Sequence, residues 1–196
     1  MMKSLPQLIA VHGFKQSGKD TLAHLLVSEY GYTRVAFADR VKDALHVIFG
    51  VSKDLLYGSD SDKQKLSPVR WRDLQDIDRA LKDHPDFLSV RELLQIFATE
   101  ICREKIPGIW YQYLNIPPQT KIVVSDLRFE NEADFLRSKH AIFVKVKRPR
   151  AQGSAHASEL GLPDETMDYI LDNDGSLDEF LDKGRSMMAA LQRNVL

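Results

Sequence analysis

The chain holds 196 residues, 43% of them hydrophobic, enough for a sizeable core and close to the upper end of one ordinary domain. Its 27 Lys and Arg against 28 Asp and Glu leave a formal net charge of -1, which excludes a global basic field for nucleic acid and requires any polyanion to be met by a local cluster. The lone Cys102 excludes an internal disulfide or a cysteine-built zinc site, and no run approaches the roughly 18 apolar residues of a membrane span, so a soluble cytoplasmic protein is expected.

Residues 7–12, QLIAVH, form a short apolar run ending at Gly13, which predicts a buried parallel strand feeding a turn. Leu22, Ala23, Leu25, Leu26 and Tyr30 then recur at helical spacing, with Gly31 as the stop. A second strand is predicted at 32–38, with Asp39 as the cap of a helix lined by Val41, Ala44, Leu45, Ile48 and Phe49. Residues 51–87 are polar and irregular apart from one helix-like stretch, RDLQDIDRALKD, and read as an insertion into a single domain spanning 1–196. Ser89 opens SVRE, a capping box with Glu92, and the helix behind it is expected to reach about residue 105 through Leu93, Leu94, Phe97 and Ile101.

KIVV at 121–124 predicts a strand leading through Ser125 to Asp126, and RFENEADFLRSK has helical periodicity. A strand at 141–146, a basic turn KRPR, a loop to about residue 163 and a short strand MDYIL follow. A second capping box, SLDE from Ser176, opens the last helix. Strands alternating with helices predict an α/β fold whose parallel sheet is covered on both faces.

Gly13 to Asp20 reads GFKQSGKD, matching G-x-x-x-x-G-K with Asp where Ser or Thr is usual and Thr21 directly behind. Glycines let backbone amides turn toward phosphate oxygens, the following helix points its positive end at them, and Lys19 adds a mobile cation. Asp20 could hold Mg2+ or orient an acceptor, and Thr21 could offer a hydroxyl instead. Asp126, at the carboxyl end of an apolar strand, reads as a magnesium-anchoring acid or as a helix cap. Arg128 and Glu132 follow it. Phosphoryl transfer also needs cations over the moving group and on the acceptor, for which Arg40, Lys42, Arg91, Arg128, Arg148 and Arg150 are candidates. His156, in GSAHASE, has no neighbouring Cys or His with which to build a metal site.

Taken together, SGKDTLA, FADRVKDAL, SVRELLQIFATE with the later Trp110, SDLRFENEA, VKVKRP, HASELGLP and NDGSLDEF occur in one order along nearly the whole chain. In this the sequence resembles the deoxynucleoside monophosphate kinases of tailed phages and their bacterial relatives. The resemblance implies a three-layer P-loop NTPase fold like that of the nucleoside monophosphate kinases, with about five mostly parallel strands, acting with ATP and Mg2+ on a small-molecule nucleotide. Neither nucleic acid nor membrane is expected as a partner, and a homodimer is left open.

Carried over by position, Lys15, Gln16, Ser17, Gly18, Lys19, Asp20, Thr21 and Arg148 would meet ATP. Lys42, Arg91, Gln95, Thr99, Trp110, Asp126, Arg128 and Glu132 would line the acceptor side, and Asp20, Thr21 and Asp126 would serve Mg2+. Lys19, Asp20, Asp126 and Arg128 would be the catalytic group. Trp110 offers a face for a base, Gln95 a donor and an acceptor for a base edge, and Arg91 a fork for a monophosphate. Two other readings stand beside this one: a different small-molecule P-loop kinase, resembling phosphomevalonate kinase with its similar GKD loop, and a nucleotide-binding regulatory protein without transfer chemistry.

Overall fold

Five apolar or weakly polar residues, Leu8–His12, form β1 and are buried along its whole length, as a central parallel strand must be. The computed structural model describes residues 4–74, 86–114, 116–117, 119–149 and 161–194. They fall into two compact units, Met1–Phe37 with Tyr111–Leu196, and Ala38–Trp110.

The first unit is built on a five-stranded sheet in the order β2-β5-β1-β6-β7, all pairs parallel, with β2 Thr33–Val35, β5 Ile122–Leu127, β6 Ile142–Lys147 and β7 Tyr169–Asp172. On one face lie α1 (Lys19–Tyr30) and α7 (Leu177–Asn194), packed closely enough that a Cβ on Gly184 would stand 2.7 Å from Leu25. Ile9, Val11, Leu22, Leu26, Val123, Val144, Phe180 and Met188 fill this layer. On the other face is α6 (Glu130–Ser138), whose Arg137 guanidinium lies 5.2 Å from the Phe143 ring centre. This is the three-layer α/β architecture expected from the alternating pattern, with the loop after β1 at the carboxyl edge of the sheet.

The second unit holds most of α2 (Phe37–Phe49), then α3 (Lys53–Tyr57) and α4 (Asp60–Lys63). An antiparallel hairpin of β3 (Leu66–Arg70) and β4 (Phe87–Ser89) follows, and α5 (Val90–Gln95) springs from it. Ser89 caps α5 as expected, its Oγ accepting from the Glu92 N–H at 3.2 Å while Glu92 Oε2 accepts from the Ser89 N–H at 2.8 Å. From Ile96 to Arg103 the same helix continues in π geometry, closed by the Glu104 N–H on the Thr99 carbonyl at 3.0 Å.

Two local expectations are corrected, and a third lies mostly outside the described residues. The second strand ends at Val35, and α2 begins at Phe37, so Asp39 lies in its first turn and is no N-cap. Within segment 51–87, the described residues 51–74 carry α3, α4 and β3 where the polar sequence suggested irregular chain, and Phe87 opens β4. Of the stretch RDLQDIDRALKD, only Arg72–Leu74 lies within the described residues, and it is 3-10 helix and bend.

Candidate active site

The loop between β1 and α1 is shaped by residues that leave no room for side chains at its glycines. A Cβ on Gly13 would come within 2.7 Å of the Val146 carbonyl, and one on Gly18 within 2.4 Å of Asn173 Nδ2. Gly18 also has φ +108°, in the left-handed half that glycine adopts without penalty, and it is the residue from which α1 starts. Gln16 is held at φ +61° without being glycine, the kind of backbone strain found at ligand-binding turns. The Ser17 N–H turns back onto the Phe14 carbonyl at 3.1 Å, and Lys19 Nζ reaches the same carbonyl at 3.4 Å. Arg148 Nη1 approaches the Gln16 carbonyl at 3.4 Å, so the structure brings this late arginine to the loop. Ser17 is 1% exposed, and its Oγ has no hydrogen-bond partner among the described residues. Asp20, in the first turn of α1, is exposed, and Thr21 behind it is half-buried.

Beside this loop, β5 runs parallel to β1 and carries a bulge. Ala10 pairs with Val124 and His12 with Leu127, so Ser125 and Asp126 together face the single residue Val11. Bulges re-aim side chains at strand ends. Asp126 Oδ1 accepts the Phe37 N–H at 2.9 Å and thereby caps α2, so the cap reading of this acid is realised at a helix far away in sequence. Glu132 is 2% exposed, and its Oε2 accepts the N–H groups of Arg128 and Phe129 at 3.0 and 3.1 Å. Its carboxylate therefore fixes the turn that carries the exposed Arg128.

His12 was not singled out by the sequence, yet it ties this edge together. Its Nδ1–H donates to the Leu127 carbonyl at 2.9 Å, and Nε2 accepts the Leu162 N–H at 3.1 Å, which defines one neutral tautomer. Burial lowers its pKa below the ordinary imidazole value, and the charges of Lys145, Lys19 and Arg128 act the same way against the opposing Leu127 bond. Lys145 donates to the Leu162 carbonyl and pairs with Asp164 at 2.8 Å, while Lys147 also bonds Asp164. Those two ammonium groups hold the Asp164 carboxyl down to about 2. Arg150 and His156 lie outside the described residues.

The second unit gathers cations of its own. Lys42 pairs with Asp39 at 3.0 Å and stands 4.4 Å over the Tyr57 ring, whose hydroxyl donates to Asp43 at 2.9 Å. Arg91, in the first turn of α5, reaches Asp60 at 2.6 Å. Lys63, three residues beyond Asp60, donates to the Gly58 carbonyl at 2.5 Å. Burial lowers the Lys63 pKa, and the positive charges of Lys42 and Arg91 push in the same direction. Sequence reasoning named Lys42 and Arg91 but missed Lys63; its only signal was a lysine ending a capped acidic turn, SDSDK.

Gln95 ends α5, and Thr99 lies one turn on in the π stretch, both half-buried. Trp110 is 5% exposed, packed on Phe97 at 6.3 Å between ring centres, and donates its indole N–H to the Ala98 carbonyl at 3.0 Å. It is a wall of this unit with a satisfied polar edge.

Comparison with known proteins gives a consistent result. The family model described as deoxynucleotide monophosphate kinase matches residues 49–183. A protein of Acanthamoeba polyphaga mimivirus, provisionally described as a deoxynucleotide monophosphate kinase, is 30% identical over 191 residues, covering 88% of this chain and 91% of that protein. The deoxynucleotide monophosphate kinase of Enterobacteria phage T4 is 24% identical, covering 94% of this chain and 100% of its own length. Among solved structures, the dephospho-CoA kinase from Campylobacter jejuni aligns over 96% of this chain and 98% of its own, at 16% identity and a TM-score of 0.45.

Proposed function

Because the chain belongs to the deoxynucleotide monophosphate kinase family, we propose that it transfers the γ-phosphoryl group of ATP to a deoxynucleoside monophosphate, giving ADP and the diphosphate. The observation that carries this reading is the loop Gly13–Thr21: tight glycines, a strained Gln16, an orphaned buried Ser17 hydroxyl and Lys19 at the start of a twelve-residue helix suit a polyphosphate.

Phosphoryl transfer is mostly positioning and charge neutralisation. Lys19 would lie along the β and γ phosphates, and Arg148, already on the loop carbonyl, would reach the donor from the other side. Arg91 and Lys42, with Lys63 beside them, would bind the acceptor's phosphate; each is held in place by an acid or carbonyl that a dianion could replace. Residues 51–87 thus belong to the acceptor-binding part of the chain. Gln95 and Thr99 would offer polar edges to the base, with Trp110 as the wall behind them. Arg128, on the turn fixed by Glu132, would neutralise charge on the transferring group.

The donors suit Mg2+ as well, since this ion takes one or two hard carboxylate oxygens and fills its octahedron with waters and substrate phosphates. Asp20, Thr21 and Asp126 supply such oxygens, and no cluster of three His, Cys, Asp or Glu exists among the described residues to make an all-protein cage. When bound, the ion would neutralise charge on the phosphates. Asp126 Oδ1 accepts the Phe37 N–H, so this carboxylate would serve the ion directly or through water.

The test is ADP release measured by a coupled assay across the common deoxynucleoside and ribonucleoside monophosphates. Turnover with at least one deoxynucleotide is expected. ATP binding without turnover on any of them would favour a regulatory protein, and turnover on a phosphorylated aliphatic alcohol would favour the other kinase class.

A further inference from the structure

The segment Asn173–Phe180, NDGSLDEF, follows β7 and takes no part in the transfer chemistry above, yet two of its residues converge on Gly18. A Cβ on Gly18 would stand 2.4 Å from Asn173 Nδ2 and 3.4 Å from the Phe180 ring. Phe180 is 2% exposed and belongs to the core beneath the loop. Asn173 Nδ2 donates to the Ser17 carbonyl at 2.8 Å, while its own backbone N–H donates to the Lys147 carbonyl at 2.7 Å. The carboxamide is therefore anchored to the end of β6 and grips the loop from outside.

The consequence follows from peptide geometry. No cis peptide bond occurs among the described residues, so the Ser17–Gly18 unit is trans and its C=O and N–H point to opposite sides. Drawing the Ser17 carbonyl toward Asn173 turns the Gly18 N–H away from it. A loop that binds phosphate must present N–H groups and keep carbonyl oxygens out of the way, because a carbonyl facing a phosphate oxygen repels it. At a glycine, that peptide can flip at little steric cost. We infer that Asn173 is a positioning residue of the phosphate loop: it locks the Ser17–Gly18 peptide in the anion-binding orientation, with Phe180 as the backstop. This inference rests on the reading of Gly13–Thr21 as the ATP phosphate loop.

Two variants test it, Asn173→Ala and Asn173→Asp, with ADP binding measured by calorimetry, folding by circular dichroism, and saturation curves for each substrate. Removal of the one hydrogen bond should weaken ADP binding about tenfold, and the aspartate, which sets a carboxylate oxygen against the Ser17 carbonyl, should weaken it by roughly 30-fold or more. The KM for ATP should rise with the ADP dissociation constant, while the KM for the deoxynucleotide stays within about twofold. Parent-like ADP affinity in the folded Ala variant, with or without a lower melting temperature, would overturn the inference and leave Asn173 a purely structural residue. If both variants are unfolded at room temperature, the inference is overturned in the same way. Absence of ADP binding by the parent protein would sink the phosphate-loop reading first, and this inference with it.

Discussion

Replacing Asp126 separates the helix cap that the structure shows from the metal role proposed for the same carboxylate. Its Oδ1 accepts the Phe37 N–H at 2.9 Å, a hydrogen bond that the carboxamide oxygen of an Asp126→Asn variant could keep, while an Asp126→Ala variant could not. The Asn variant can keep the Phe37 bond and loses the negative charge at the start of α2, about 0.3 to 1 kcal/mol. At roughly 2 to 4 °C per kcal/mol for a chain of this size, its melting temperature should fall by about 1 to 4 °C. The Ala variant also leaves an N–H without its acceptor, about 1 to 2 kcal/mol more, so its melting temperature should fall by about 3 to 12 °C in all. Kinetics should rank the two differently. If the charge helps to hold Mg2+ and offsets about 3 kcal/mol at the transition state, both variants should lose on the order of 150-fold in turnover with a nearly unchanged KM for ATP. Thermal melts and saturation curves on both proteins decide the matter. Turnover within threefold of the parent in Asp126→Asn, beside a clear melting loss in Asp126→Ala, would refute the metal role and leave Asp126 as a cap.

Lys19→Ala should lower kcat/KM by on the order of 1000-fold while the melting temperature moves by no more than a few degrees, and activity within tenfold of the parent would refute the loop assignment. Arg91→Ala should raise the KM for the deoxynucleotide roughly 30-fold to 150-fold and leave that for ATP within about twofold, since its exposed pairing with Asp60 contributes little to stability; a shift of the ATP curve alone would move Arg91 to the donor side. Glu132→Ala strands the Arg128 and Phe129 N–H groups and should lower the melting temperature by about 4 to 15 °C, measured by calorimetry, with a drop under about 2 °C contradicting the cap. The Asp164 carboxyl is held at about 2 when folded, below its unfolded value, so the stability it contributes is present above about pH 4 and lost as pH falls toward 2. The difference in urea midpoint between the parent and Asp164→Asn should accordingly shrink across that window and be flat above it.

What could be read from the sequence was what short-range chemistry fixes. Both capping boxes were legible because the serine and the glutamate three residues on act within one turn, and Ser176 with Glu179 forms its reciprocal bonds like Ser89 with Glu92. The loop between β1 and α1 was legible because its glycines stand at a recognisable spacing between an apolar strand and a helix, although the groups that crowd them, Val146 and Asn173, lie far along the chain. The start of α2 was not, because the oxygen that caps it comes from Asp126, 89 residues away, leaving Asp39 as the only candidate in view. Half of the box at α6 was equally hidden: Glu132 supplies its carboxylate, but Phe129 stands where Ser or Thr would have announced it. The hairpin β3–β4 was missed because its strands are five and three residues long and one contains Pro68. His12 and Asn173 bond across 150 and 156 residues, to Leu162 and to Ser17, and nothing in their neighbourhoods marks them.

The π geometry of Ile96–Arg103 gives the chain a tolerance to a change of length that a substitution scan would miss. A π turn accommodates one more residue than an α turn, and the usual route between the two is a single insertion or deletion. Deleting Glu100 would let this stretch relax toward ordinary α winding, and because the wider winding had absorbed that residue, those after it would keep close to their present directions around the helix axis. Cys102 and Arg103 would keep their present sides of the helix, and Trp110 would still arrive at Phe97. Homologous chains one residue shorter here would therefore be expected to wind as ordinary α-helix and to keep the aromatic pair at the equivalents of Phe97 and Trp110.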